Sequence, residues 1–246
     1  MRRLKHIYII LAAVLAANVF LASSLAARTL YEDTTIEGIN LPRGTIVEFY
    51  ESGELKSVRL KEPLSIRGVL ARANVKIMFY ASGSLKRIAL AQAQAIEGIT
   101  FLANTELYFY ESGELEGANL TGTQEVRGYT VNIGRVEFYK SGRLKNISLA
   151  ANADTRLQNI KFPGGSELVF YENGNLERAK LSENTKISGV LCARSQWVLF
   201  YKTGELKQAY LAEEQIVGAV KYPKLTQLTF DRHQNVIAVK KNKLYR

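Results

Sequence analysis

Few residues in this sequence carry reactive chemistry. His6 lies in the apolar N-terminal segment, so only His233 remains beyond it, and the single cysteine is Cys192. A thiol and an imidazole could form a nucleophile and its base. Here they lie 41 residues apart, and neither sits in a distinctive motif. One histidine and one cysteine do not make the usual metal sites, which need three or four such ligands. Two carboxylate pairs, Glu51 with Glu54 and Glu111 with Glu114, have the composition of a glycosidase pair. The equivalent positions at multiples of about 30 residues hold Ala81 and Ser84, Lys140 and Arg143, or Lys202 and Glu205 instead. That variation marks these carboxylates as solvated turn residues. No phosphate-binding loop, dinucleotide fingerprint or G-x-S-x-G element occurs. The expectation is a non-catalytic protein without metal or cofactor.

The spacing that exposes those substitutions is an internal repeat, and such a period decides the fold. Phe-Tyr occurs at 49–50, 79–80, 109–110, 138–139, 170–171 and 200–201, and a degenerate copy begins at Phe230-Asp231. A turn dipeptide follows each, as in Ser52-Gly53 and Asn173-Gly174, and then a leucine such as Leu55 or Leu176. A second leucine comes five residues later, as at Leu60 and Leu181. An aliphatic-x-Gly element completes the unit: Ile36 and Gly38, Ile66 and Gly68, Ile96 and Gly98, Val126 and Gly128, Ile187 and Gly189. One copy has Leu157 with Asn159, and the last is read as Ile216 with Gly218.

Each column has a physical reading. Val47-Glu48-Phe49 alternates at period two, the mark of a half-buried strand. Ser-Gly or Asn-Gly supplies the positive φ of a tight hairpin turn. The leucines return the chain along a second strand. The aliphatic-x-Gly element reads as a third short strand with a bend. One unit alone cannot bury its Phe and leucines, so units must stack. The fold expected is all-β: an elongated array of about six and a half 30-residue β-hairpin units over residues 27–239. Stacking as a β-solenoid and as a twisted hairpin sheet are both open.

Composition agrees with an ordered, globular chain: 47% hydrophobic and 23% charged residues. The lone Cys192 excludes an internal disulfide and aligns with Ala71, which points to a buried, inert side chain. Residues 1–26 read as a secretory signal. Arg2, Arg3 and Lys5 precede an apolar stretch and then Ser24-Leu25-Ala26, with cleavage expected after Ala26. The rival is an uncleaved anchor over residues 7–25, since that length approaches a membrane span. Either way the remainder is exported, to a periplasm or cell envelope.

The net charge of +10 is concentrated at the ends. From Lys221 onward seven bases face the single acid Asp231, and the residues between 27 and 220 are nearly balanced. A whole-protein nucleic-acid footprint is therefore not indicated. Lys240, Lys241, Lys243 and Arg246 form a basic tail over 240–246, a candidate contact for an anionic membrane surface. It equally serves to discourage pairing at an exposed β edge.

The hairpins Phe49-Tyr50-Glu51-Ser52-Gly53-Glu54-Leu55-Lys56 and Phe170-Tyr171-Glu172-Asn173-Gly174-Asn175-Leu176-Glu177 resemble bacterial MORN-like repeats of the aromatic-Tyr-x-Asn/Ser-Gly-x-Leu variety. The resemblance covers almost all of residues 29–239, with a longer unit. It implies an interaction or membrane-associated scaffold. The candidate partner-binding residues are the aromatic column Tyr50, Tyr80, Tyr110, Tyr139, Tyr171 and Tyr201. Such a row binds sugars, peptides or headgroups through flat faces with polar tips, or it serves as a structural ladder. The expected partner is a protein or glycan of the envelope, with the anionic membrane surface as the alternative.

Overall fold

The structure, a computed structural model, describes residues 27–240. The signal segment and Lys241, Lys243 and Arg246 lie outside the described residues. All regular structure among those described is β, in 29 strands, and every strand pairing is antiparallel. The architecture is therefore a hairpin array; no coil of parallel strands is formed. Fifteen strands belong to one sheet, in chain order, and seven short two-stranded hairpins accompany it.

The repeat unit holds four strands. In the first copy Ile46–Phe49 and Leu55–Arg59 form the sheet hairpin. Leu64–Ile66 and Val69–Ala71 form the small hairpin. The aliphatic-x-Gly element is thus not a single third strand, as the spacing suggested, but the first half of a hairpin. Arg67 and Gly68, at φ 49° and 82°, make its two-residue turn. Positive φ at both positions gives the backbone twist that matches paired strands. A period-two reading of three residues is too short to reveal the turn that follows.

The sheet hairpin turns differently. The Gly53 N–H donates to Tyr50 O at 3.0 Å, and Tyr50 N–H donates to Glu54 O at 2.9 Å. Only Gly53 has positive φ, at 102°. This is a type I turn closed by a glycine bulge, and the register shifts between Glu48 and Phe49.

Two compact units divide the described chain: residues up to Gln92 with Phe109–Gly113, and Ala93–Tyr108 with the residues from Glu114 onward. In the first unit the small hairpin is tied to a sheet strand. Ala71 bridges Leu90, Arg72 N–H donates to Ala89 O at 2.8 Å, and Ala91 N–H donates to Leu70 O at 3.0 Å. The second leucine of this copy, Leu90, is therefore where the small hairpin before it fastens. Leu60, Ile66, Ile77, Phe79 and Leu90 are fully buried there.

The second unit repeats the scheme with Val131 bridging Leu149 and Cys192 bridging Leu211. Phe162 of a small hairpin meets Phe200 of the sheet edge-to-face, ring centres 6.4 Å apart. The core is thus the space between sheet and small hairpins. Each large side chain removed from water there contributes about 1.5–3 kcal/mol.

The last copy departs from its expected register. Val217, not Ile216, takes the aliphatic place, pairing with Val220, and Gly218-Ala219 make the turn. Ile216 is 70% exposed. Glycine stands one position early here, so the aliphatic-x-Gly spacing pointed one residue too far upstream.

Candidate functional site

The tyrosine column stands at the first position of each sheet-hairpin turn. In the first unit Tyr50 hydroxyl donates to Phe79 O at 2.7 Å, and Tyr80 hydroxyl to Phe109 O at 2.9 Å. In the second, Tyr139 donates to Phe170 O at 2.7 Å, Tyr171 to Phe200 O at 3.1 Å, and Tyr201 to Phe230 O at 2.7 Å. Every one of these hydroxyls reaches the phenylalanine carbonyl of the next copy. Tyr110 occupies the same place in its turn. All six side chains are half-buried. Lysines lie over four of the rings: Lys56 on Tyr50, Lys86 on Tyr80, Lys145 on Tyr139 and Lys207 on Tyr201, at 5.0–5.9 Å. The polar tips are thus spent within the array, and cations shade the faces.

A different aromatic breaks the repeat. The first residue after the small-hairpin turn is Ile39, Val69, Ile99, Ile160 or Val190 in other copies, and Tyr129 in one. Its ring lies 5.9 Å from that of Phe170, and burial raises its phenol pKa. No group among the described residues hydrogen-bonds its hydroxyl. Beside it opens a cleft of about 510 Å³ whose lining includes Arg127, Arg143, Ser141, Leu144 and Phe170. Arg143 Nη1 donates to Glu172 O at 3.0 Å, which fixes that guanidinium at the rim. Guanidinium forks accept planar or tetrahedral oxyanions, and a phenol adds one more donor. Leu144 and Phe170 supply an apolar floor. Sequence reasoning missed this site; its one signal was a tyrosine in an aliphatic column.

The sequence matches no protein-family model and no curated protein.

Cys192 is fully buried, and burial pushes its thiol up to about 12, so the folded chain holds it as an unreactive thiol. His233 sits in the last sheet-hairpin turn, its N–H donating to Asp231 Oδ1 at 2.9 Å. The structure gives no contact between the two. The Ser52 hydroxyl donates to Glu54 and holds that carboxyl below its ordinary range. A general acid needs the opposite shift. Among the described residues no cluster of three His, Cys, Asp or Glu side chains could hold a metal ion. Lys240 ends the final strand, paired with Gln227, so the strand extends one residue into the basic segment.

Sequence spacing also missed two cation–aromatic stacks in the second unit. Arg135 lies 4.2 Å from the centre of the Tyr108 ring, and Arg178 lies 4.6 Å from that of Trp197. A Cβ at Gly117 would stand 2.5 Å from the Val136 carbonyl oxygen and 3.2 Å from the Arg135 guanidinium carbon, so glycine is required there chiefly by the neighbouring backbone.

Proposed function

We propose that the protein is an exported, non-catalytic repeat scaffold of the cell envelope that binds a protein or glycan partner. The observation that carries this reading is the break in the repeat at Tyr129, where an unpartnered phenol and two arginines flank a cleft with an apolar floor. Regular columns serve stacking; an irregular one that opens a cleft is where selection for a ligand would act. The same chemistry favours a partner with a carboxylate or other oxyanion, such as an acidic sugar or an acidic peptide segment. The tyrosine ladder then acts as the joint between copies and leaves recognition to the cleft. This is the scaffold role that the MORN-like resemblance implies.

The test compares the purified protein with Tyr129→Val and Arg143→Glu on arrays of acidic and neutral glycans and in capture from envelope extracts. Valine already fills this column at Val69 and Val190, so the first variant keeps the fold. A partner held by the parent and lost by both variants supports the reading. Equal capture by all three removes the cleft from recognition.

A further inference from the structure

Copies of the repeat differ in how they treat the backbone N–H of the first leucine. In two of them a glutamate from the small-hairpin turn caps it. Leu55 N–H donates to Glu37 Oε1 at 2.6 Å, and Leu115 N–H donates to Glu97 Oε1 at 2.8 Å. The same carboxylates reach the turn glycine of the next sheet hairpin. Glu37 Oε2 stands 3.1 Å from the place a Cβ would take on Gly83, and Glu97 Oε2 stands 3.9 Å from that on Gly142. Each glutamate thus fills a slot between a leucine N–H and a glycine turn.

The Tyr129 copy has the slot without the glutamate. Leu144 pairs with Phe138 beside the same register shift as Leu55 with Phe49, so its N–H points into the equivalent place. The turn residue here is Arg127, which carries donors and no acceptor. Its guanidinium leans toward the preceding sheet hairpin, with Nη2 3.9 Å from the Cβ place on Gly142. At Gly174, the glycine that closes the slot, nothing beyond the chain neighbours lies within 4 Å of that place. Leu144, Gly174 and Arg127 all line the cleft of about 510 Å³ beside Tyr129. Arg67 makes the same exchange and leaves Gly113 open, but Val69 holds the column there, so no phenol joins it.

We infer, resting on the proposed role of the cleft in recognition, that this slot takes the side-chain carboxylate of a glutamate from an acidic peptide segment of the partner. Leu144 N–H, the Arg127 guanidinium and the Tyr129 hydroxyl are the donors. The chain supplies its own template, because a glutamate side chain ends on the equivalent N–H in two other copies. One carboxylate has lone pairs enough for an amide, a phenol and a guanidinium together. Leu144 and Phe170 offer an apolar floor to the residue next to that glutamate.

The experiment follows the backbone amides of the protein, expressed from the full chain, by nitrogen–proton NMR during titration with a capped Phe-Glu dipeptide. The expected result is a saturable downfield shift of the Leu144 amide proton, absent with capped Phe-Gln. The Leu55 and Leu115 amides, already capped, stay in place. Arg127→Glu supplies the carboxylate from within and should weaken the dipeptide by at least about tenfold. Glutamate already stands at this turn position as Glu37 and Glu97, so the variant keeps the fold. A Leu144 amide that Phe-Glu leaves unmoved, or that Phe-Gln moves equally, overturns the inference. Tighter binding by glucuronate overturns it too and assigns the slot to an acidic sugar; tighter binding by inorganic phosphate assigns it to a tetrahedral anion. Should Arg127→Glu fail to fold, Tyr129→Val decides, and an unchanged dipeptide affinity in it rejects the slot. If the dipeptide fails while envelope capture still depends on Tyr129 and Arg143, the cleft remains the recognition site and only the glutamate is rejected. If the Leu144 shift is present while capture ignores both residues, the slot stands and the wider reading of the cleft falls.

Discussion

The hydroxyl of Tyr139 donates a 2.7 Å hydrogen bond to the backbone carbonyl of Phe170, 31 residues further along the chain. Together with the Arg143 guanidinium, which donates to Glu172 O at 3.0 Å, that bond links the turns of two successive copies. Four equivalent bonds span 29 residues each. The extra two residues at Tyr139 belong to the longer copy, whose insertion falls before the small hairpin and leaves the ladder in step. These tyrosines therefore tie each copy to the next in a fixed register.

Removing one rung tests this. Tyr139→Phe keeps the ring and deletes the donor, and it should cost about 1 kcal/mol of stability. Urea titration followed by circular dichroism checks it. A variant as stable as the parent would show that the hydroxyl contributes nothing to the junction.

Leu225 takes the left-handed conformation, φ 59°, where Asn74 and Asn104 stand in other copies. Its N–H donates to Leu211 O at 2.9 Å, as Asn74 N–H does to Leu60 O at 2.8 Å. An apolar L-residue is strained there by about 1–2 kcal/mol, and asparagine less. Leu225→Asn should raise the urea midpoint, with a gain of up to about 1 kcal/mol.

Glycines divide into two kinds. Gly68 has φ 82° and open space where a Cβ would go, so Gly68→Ala costs only the backbone strain, about 1–2 kcal/mol. At Gly164 a Cβ would run into the carbonyl oxygens of Ala150 and Ala151. Gly164→Ala forces the backbone apart and should be the more damaging of the two. Thermal melts of both variants rank them.

Cys192 makes stability depend on alkaline pH. Its folded thiol ionises at about 12, against about 8.5 in an unfolded chain. Below pH 8.5 both states are protonated and the thiol adds no pH dependence. Above it the unfolded chain loses the proton first, so stability falls by about 1.4 kcal/mol per pH unit until the folded thiol ionises. Cys192→Ala, which matches Ala71, should flatten this difference between pH 9 and 11. The parent thiol should also resist alkylation at pH 8 until denaturant is added.

Local chemistry alone wrote much of this protein. The Phe-Tyr period, the Ser-Gly turns and the paired leucines specify strands, turns and buried columns, because period-two burial and positive φ are properties of a few adjacent residues. Burial of Cys192 followed from the same alignment with Ala71. What lay beyond the sequence depended on contacts between residues about 30 apart. The second half of each small hairpin was hidden because three-residue strands carry too little pattern. The slip from Ile216 to Val217 was hidden because an early glycine mimics the repeat spacing. The reach of Tyr50 to Phe79 O and the cleft beside Tyr129 are set by how copies stack. A hydroxyl's partner and a cavity have no local signature; only neighbouring copies in space determine them.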